Sequence, residues 1–276
     1  MRYCRILTIQ DISCVGQCSM TVAMPVLSAC GHETCILPTA LLSTHTGGFG
    51  KPEVCHLSRS MAAFRDHWQK NGITFDAILT GYLGSVEAIR EAAAIMDTLL
   101  APGGKIIVDP AMADHGRLYS GLSEEYAREM IKLCLRADVM LPNLTEAAMM
   151  AGTVLPENPE ESEIRALLKS LDGRNVVLTG AVCEPGLNGA ALRRDGEISF
   201  YRHSKIGGSF HGTGDLFAAC FTGAWMAGKT MEEAVAIAGD VTCRSIQNTV
   251  AKPAHWYGVK FETALPYLAE RIAACF

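Results

Sequence analysis

Short apolar runs bounded by polar residues recur along the chain and alternate with longer segments of helical spacing. Residues 5–10, 33–38, 77–80, 105–110, 137–143 and 175–180 each read as a buried strand. Helices are expected at about 20–30, stopped by Gly31, at 59–71, ended by Asn71-Gly72, and at 86–100. A further helix is expected over 145–151, with Asn143 or Thr145 as its cap. Pro102-Gly103-Gly104 predicts a turn, and residues 189–194 and 197–203 predict an antiparallel pair around Asp195-Gly196. Segments 216–226, 231–248 and 263–275 complete the helical set. Strands alternating with helices at this spacing predict an α/β fold with a mostly parallel central sheet covered on both faces. No linker-like tract or repeat divides the chain, so one domain over residues 1–276 is expected, with the acidic stretch 156–161 as a surface loop.

Composition narrows the function. Hydrophobic residues make up 49% of the chain, enough for a sizeable core, and the net charge is −5 with scattered basic residues. A nucleic-acid footprint needs a Lys/Arg-rich face, and none is visible. No apolar run reaches membrane-spanning length and no signal-peptide pattern opens the chain, so a cytoplasmic protein is expected. The 11 cysteines include no Cys-x-x-Cys and no histidines at zinc spacing, which predicts free structural thiols. Trp68, Trp225 and Trp256 read as helix-face or terminal packing residues.

Candidate chemistry concentrates in Gly207-Gly208-Ser209-Phe210-His211-Gly212-Thr213-Gly214-Asp215, which runs into an Ala-rich apolar segment. Glycines turn the backbone tightly, and a helix start adds unpaired N–H groups and a positive dipole end. Together these make a seat for a phosphate. Asp215 has two readings there, an N-cap or a catalytic carboxylate. If the site transfers a phosphoryl group, Asp215 takes the proton of the attacking hydroxyl, while Gly212, Thr213 and Gly214 hold the developing charge. Neither a Walker loop nor Gly-x-Gly-x-x-Gly after the first strand is present.

Further polar residues fall just after expected strands, on one edge of the sheet. Asp109 and Asp114 follow one strand, Asn143 and Glu146 stand at a strand-to-helix junction, and Thr179 ends another strand. Carboxylates and an amide beside a phosphate seat suit Mg²⁺. Each also has an ordinary reading: a turn at Asp109-Pro110, a cap at Asn143, a first-turn acid at Glu146.

Gly212-Thr213-Gly214-Asp215-Leu216-Phe217-Ala218-Ala219 closely resembles the anion-hole motif of the ribokinase-like superfamily, specifically its pyridoxal kinase branch. His45-Thr46-Gly47 resembles that branch's substrate loop, and Thr80-Gly81-Tyr82-Leu83-Gly84-Ser85 its segment with a tyrosine beside the pyridine. Val108-Asp109-Pro110 with Asp114, and Pro142-Asn143-Leu144-Thr145-Glu146, resemble its metal- and nucleotide-side motifs. The resemblance covers nearly the whole chain. It implies a ribokinase-like three-layer α/β/α sandwich, a homodimer, and ATP-dependent phosphorylation of the 5′-hydroxymethyl group of pyridoxal, pyridoxamine or pyridoxine. It implies Mg²⁺ as cofactor and leaves room for a monovalent cation such as K⁺. By the same resemblance Asp215 is the base and Gly212 to Gly214 the anion hole, while Thr46 and Tyr82 contact the pyridine. Asp109, Asp114 and Glu146 serve Mg²⁺ and its waters, and Asn143 and Thr179 line the phosphates.

The first loop departs from the family, whose vertebrate-like members carry Gln-Ser where this chain has Gln10-Asp11, then Ser13. Either Asp11 or Ser13 can take the pyridine contact, and an acid at Asp11 suits a cationic amine such as that of pyridoxamine. Lys205 reads as a phosphate contact or a solvated lysine, His211 as a nucleotide cover or an exposed residue, and His45 as shaping the substrate loop. A hydroxymethylpyrimidine kinase of the same superfamily shares Asp215 and the anion hole. It carries a Gly-rich first loop that is absent from residues 11–19. A non-catalytic ligand-binding relative is the alternative from another class, and the intact acids argue against it.

Overall fold

The computed structural model describes residues 2–156, 158–181, 186–208, 210–250 and 255–274. The first half contains β1 (Arg5–Ser13), α1 (Met20–Ala29), β2 (Glu33–Leu42), β3 (Val54–His56), α2 (Ser58–Lys70), β4 (Phe75–Thr80) and α3 (Val86–Leu99). Next come β5 (Leu100–Val108), β6 (Ala113–Asp114), β7 (Arg117–Leu118), α4 (Glu124–Cys134), β8 (Val139–Met140) and α5 (Leu144–Met150). The remainder is α6 (Glu161–Ser170), β9 (Asn175–Thr179), β10 (Leu187–Arg194), β11 (Glu197–Ser204), α7 (Thr213–Met226), α8 (Met231–Val250), a 3-10 turn (Phe261–Ala264) and α9 (Leu265–Ala273).

Nine of these strands form one sheet in the order β11-β10-β9-β8-β5-β4-β1-β2-β3. β2, β1, β4, β5, β8 and β9 are parallel to their neighbours in that run, while β3, β10 and β11 join antiparallel at the two ends. Alternate residues of each strand point to opposite faces, so one strand feeds two cores. Ile6, Ile107, Val139 and Val177 enter the core beneath α1, α7 and α8. Leu7, Ile9, Val108, Met140 and Val176 enter the other, beneath α3, α4 and α6. The result is the expected three-layer α/β/α sandwich with a mostly parallel central sheet.

Several boundaries moved for local reasons. Phe75 pairs with Leu100 and Ala77 with Lys105, so the expected turn at Pro102-Gly103-Gly104 is a bulge inside β5. Gly103 at φ +77 supplies the backbone conformation that the bulge requires. Asp195 and Gly196 both have positive φ, as a two-residue hairpin demands. α4, α6 and β3 lie outside the elements expected from the pattern. α4 and α6 are short and strongly charged, and bury a narrow stripe such as Tyr126, Met130 and Leu133. β3 is three exposed residues on the sheet edge and carries no alternation to detect. Among the described residues no helix is long and apolar enough to cross a membrane. Nine cysteines there are free thiols, five of them buried.

Candidate active site

The strand order places the turn from β1 toward β2 on one side and toward β4 on the other. In open α/β sheets the crevice at the carboxyl ends of such strands is where ligands bind. β1 runs three residues past its expected end, so Asp11 and Ser13 are strand residues. Its register against β2 is irregular between Gln10 and Ile12. The Asp11 N–H donates to the carbonyl of Tyr82 at 3.2 Å, which ties β1 to the loop after β4. That loop is held from below by α4, where the Tyr126 hydroxyl accepts the Leu83 N–H at 3.4 Å.

Asp11 is 4% exposed, and the Ser13 hydroxyl donates to its Oδ2 at 3.2 Å. Burial raises its pKa above the usual carboxylate range, and the hydroxyls of Ser19 and Ser13 partly offset this. Tyr82 is half-buried, with its phenol raised by burial and by the charge of Asp11.

Gly212 is the N-cap of α7 at φ +76, and the helix starts at Thr213, so Asp215 sits in the first turn and is not the cap. Two constraints select glycine at 212. Its φ is left-handed, and a Cβ there would lie 1.8 Å from the Gln17 carbonyl oxygen. The Gly212 carbonyl accepts the Leu216 N–H at 3.0 Å, and the Thr213 hydroxyl donates to the Phe210 carbonyl at 3.2 Å. Behind this turn Leu216, Phe217 and Phe221 are buried, each stabilising the seat by about 1.5–3 kcal/mol. Burial lifts the Asp215 carboxyl to about 6, with Asp11 adding to the rise and the Ser19 backbone opposing it.

Asp109 follows β5, its N–H bonded to the Thr80 carbonyl at 3.0 Å. Its Oδ1 accepts the N–H of Ala111, a residue at φ +39. Burial pushes its pKa well above the carboxylate range, and Glu146 and Asp215 push it further. Asp215 therefore lies in the field of both Asp109 and Asp11, although one acid follows β5, another lies in β1 and Asp215 itself is in the first turn of α7.

Asn143 and Glu146 form a capping box on α5. Asn143 Oδ1 accepts the Glu146 N–H at 3.0 Å, and its Nδ2 donates to the Ala113 carbonyl at 2.8 Å. Glu146 is 1% exposed. Its Oε2 accepts the Asn143 N–H at 2.9 Å, while Oε1 accepts those of Met112 at 2.8 Å and Ala113 at 3.3 Å. Three of the roughly four acceptor positions of a carboxylate are thus filled by backbone. The role expected for Glu146 toward Mg²⁺ and its waters is left with about one acceptor position of this carboxylate. It fixes the loop that presents Asp109, and its own pKa is raised by burial to about 7. Asp114 is exposed in the β6–β7 hairpin, where it accepts the His115 N–H at 2.8 Å. Thr179 bridges to Asn143 across the sheet edge, its hydroxyl 3.4 Å from the Pro142 carbonyl.

Among the described residues no three His, Cys, Asp or Glu side chains converge to hold a metal ion by themselves. The donor set at this edge still fits Mg²⁺, which keeps most of its waters and takes one or two carboxylates plus phosphate oxygens. Asp109 and Asp114 each give only Oδ1 to a single backbone N–H, against three for Glu146, and so keep hard oxygen donors to offer.

The loop after β2 closes the other side. His45 Nδ1 accepts the Gly47 N–H at 3.0 Å, and the His45 ring lies 4.6 Å from that of His211. Burial lowers the His45 pKa, and His211 lowers it further. His211 thus faces the loop of residues 45–47, and Thr46 between these contacts is exposed. Lys205 is exposed, its N–H bonded to the Gly186 carbonyl at 2.8 Å.

Sequence reasoning missed Ser19. It precedes α1 at φ +49 and ψ −129 with no capping bond from its side chain, although it is only 6% exposed. A serine before a helix signals a cap, and nothing local announces a strained backbone between two carboxylates.

The chain is similar to known proteins over most of its length. Residues 26–259 match the family model described as phosphomethylpyrimidine kinase. The pyridoxine/pyridoxal/pyridoxamine kinase of Bordetella avium is 30% identical over 244 residues, covering 83% of this chain and 80% of the relative. The crystal structure of pyridoxal kinase from Lactobacillus plantarum superposes with a TM-score of 0.89 at 31% identity, covering 96% of each chain. A provisionally assigned phosphomethylpyrimidine kinase from Bacteroides thetaiotaomicron, in a crystal form with pyridoxal, gives 0.90 at 30% identity, covering 96% of this chain and 95% of that one.

Proposed function

The chain belongs to the phosphomethylpyrimidine kinase family and is a kinase, and from that premise we propose that it phosphorylates the 5′-hydroxymethyl group of pyridoxal, pyridoxamine or pyridoxine with ATP. The observation that carries this reading is the position of Asp215. It stands in the first turn of α7, directly behind the left-handed Gly212 and in the field of Asp11 and Asp109.

In this reading the acceptor hydroxyl oxygen attacks the γ-phosphorus and the bond to the β,γ-bridging oxygen breaks, so that ADP leaves. Asp215 takes the hydroxyl proton, and a carboxyl near 6 is mostly ionised at pH 7 while remaining more basic than a free aspartate. The N–H groups of Gly212, Thr213 and Gly214 face the charge that spreads over the transferring group, with the start of α7 behind them. Mg²⁺, when bound, supplies charge neutralisation at the phosphates, and Asp109 and Asp114 would hold it. Asn143 and Thr179 stand on the nucleotide side, next to one another across the bridge that joins them. Tyr82, Thr46, His45 and either Asp11 or Ser13 border the acceptor. The same reading includes a homodimer and a cytoplasmic location, with K⁺ as a second cation.

A second acceptor, hydroxymethylpyrimidine, is favoured by the description of the family model itself. ADP release measured with pyridoxal, pyridoxamine, pyridoxine and hydroxymethylpyrimidine separates the two. Turnover confined to the pyrimidine overturns the vitamin B6 reading, and turnover of none overturns the proposed reaction with both.

A further inference from the structure

Residues 255–258 touch both loops that border the acceptor side of the site. Trp256 packs on Phe49 with ring centroids 4.6 Å apart. It lies so close over Gly48 that a Cβ there would come within 2.4 Å of its ring. Tyr257 places a second ring 5.8 Å from Phe49 and meets Trp256 edge-on. Gly48 and Phe49 follow directly on His45-Thr46-Gly47.

The opposite side of the same stretch holds Gln17. His255 Nε2 lies 2.6 Å from Gln17 Oε1, and Gln17 Nε2 donates to Glu262 Oε1 at 2.6 Å. A Cβ on Gly258 would meet the Gln17 Cβ at 2.6 Å. The Gln17 carbonyl in turn fills the space beside Gly212 that any other residue would need. Four consecutive residues therefore join the neighbours of Thr46 to the backbone that seats Gly212.

The packing is not that of a core. Trp256 remains 47% exposed, so its contact with Phe49 and Gly48 orders a loop more than it buries apolar area. We propose that residues 255–258 clamp the acceptor loop against the anion-hole loop, with Trp256 and Gln17 as the positioning residues. The inference rests on reading residues 45–47 as part of the acceptor site. Without the Trp256 ring, acceptor binding must order the loop itself, and this weakens acceptor affinity while leaving the nucleotide side unchanged. Without the Gln17 amide, the seat of Gly212 loosens while the acceptor loop stays pinned, and this lowers turnover.

Steady-state kinetics of Trp256→Ala, Trp256→Phe, Phe49→Ala, the Trp256→Ala/Phe49→Ala double variant and Gln17→Ala test the clamp. Trp256→Ala should raise the acceptor KM roughly 3- to 10-fold, the size of one aromatic pair, with the ATP KM unchanged. Trp256→Phe should restore it. Phe49→Ala should reproduce the effect, and the double variant should be no worse than either single one, since all remove one contact. Gln17→Ala should lower kcat at constant acceptor KM. Equal rises in both KM values, unchanged kinetics, or additive losses in the double variant overturn the clamp. A parent enzyme that phosphorylates hydroxymethylpyrimidine alone overturns the vitamin B6 reading, and the same variants then read the clamp with that acceptor.

Discussion

Glu146 Oε1 accepts the backbone N–H of Met112 at 2.8 Å, joining the first turn of α5 to the loop after β5. The two residues are 34 positions apart, and the bond anchors the loop that follows Asp109 to α5. An acid expected on the Mg²⁺ side thus also ties together two parts of the site's frame.

Glu146→Gln puts an amide N–H where a backbone N–H now points at an oxygen, so one buried donor loses its partner. A loss of about 1–3 kcal/mol in chemical denaturation is expected, together with lower activity as Asp109 shifts. Glu146, Asp215, Asp109 and Asp11 all have pKa values raised in the folded state. For raised acids the folded state holds more protons than the unfolded chain, so stability falls as pH rises from about 4 toward 7. Thermal melts without ligand should show a lower Tm at pH 7.5 than at pH 5.5, and ATP with Mg²⁺ should recover part of the difference by mass action.

Asp215→Asn should reduce kcat about 10²- to 10⁴-fold with little change in the ATP KM and no loss of Tm. The parent's kcat/KM should fall about tenfold per pH unit below about 6, where the carboxyl takes up a proton, and level off above it. Rapid-quench turnover across pH 4.5–8 reads both. An Asn variant as fast as the parent would falsify the proposed role.

Asp11→Asn removes a buried charge whose local compensation comes from hydroxyls. The ratio of kcat/KM for pyridoxamine over pyridoxal should drop, because only the amine gains from a carboxylate partner. The midpoint of the pH–rate profile should also move down, since Asp11 contributes to the raised pKa of Asp215. An unchanged ratio assigns the pyridine contact to Ser13.

Gly212→Ala combines a left-handed φ with a Cβ 1.8 Å from the Gln17 carbonyl oxygen. The backbone must move, so a destabilisation of about 1–3 kcal/mol and a loss of turnover exceeding the loss of substrate affinity are expected. Gly214→Ala is the control for stability alone, because nothing lies within 4 Å of the Cβ it would add.

Ser19→Gly should raise stability by about 1 kcal/mol, because glycine adopts φ +49, ψ −129 without strain. It also removes the hydroxyl that offsets the burial of Asp11, so activity should fall while the melting temperature rises.

Local sequence carried the layers of the fold and the helix that supports Asp215. Buried strands announce themselves through apolar runs, and Gly212 through its neighbours, because both depend on residues adjacent in the chain. α4 and α6 were silent, since their few apolar positions read as helix faces only once a sheet lies beneath them. The cap reading of Asp215 failed for the same reason. The helix begins where Gly212 meets Gln17, a contact across 195 positions that no local pattern records.

By itself the sequence determined the element types, the parallel sheet and the carboxylates at strand ends, since periodicity and turn chemistry are properties of neighbouring residues. Only the tertiary structure decided which of those carboxylates are spent on backbone N–H groups, as Glu146 is, and which stand in another acid's field, as Asp11 and Asp109 each do with Asp215. Burial and charge coupling depend on distance in space, and two strands and a helix start far apart in the chain come together only when the sheet has formed and α7 has packed on it.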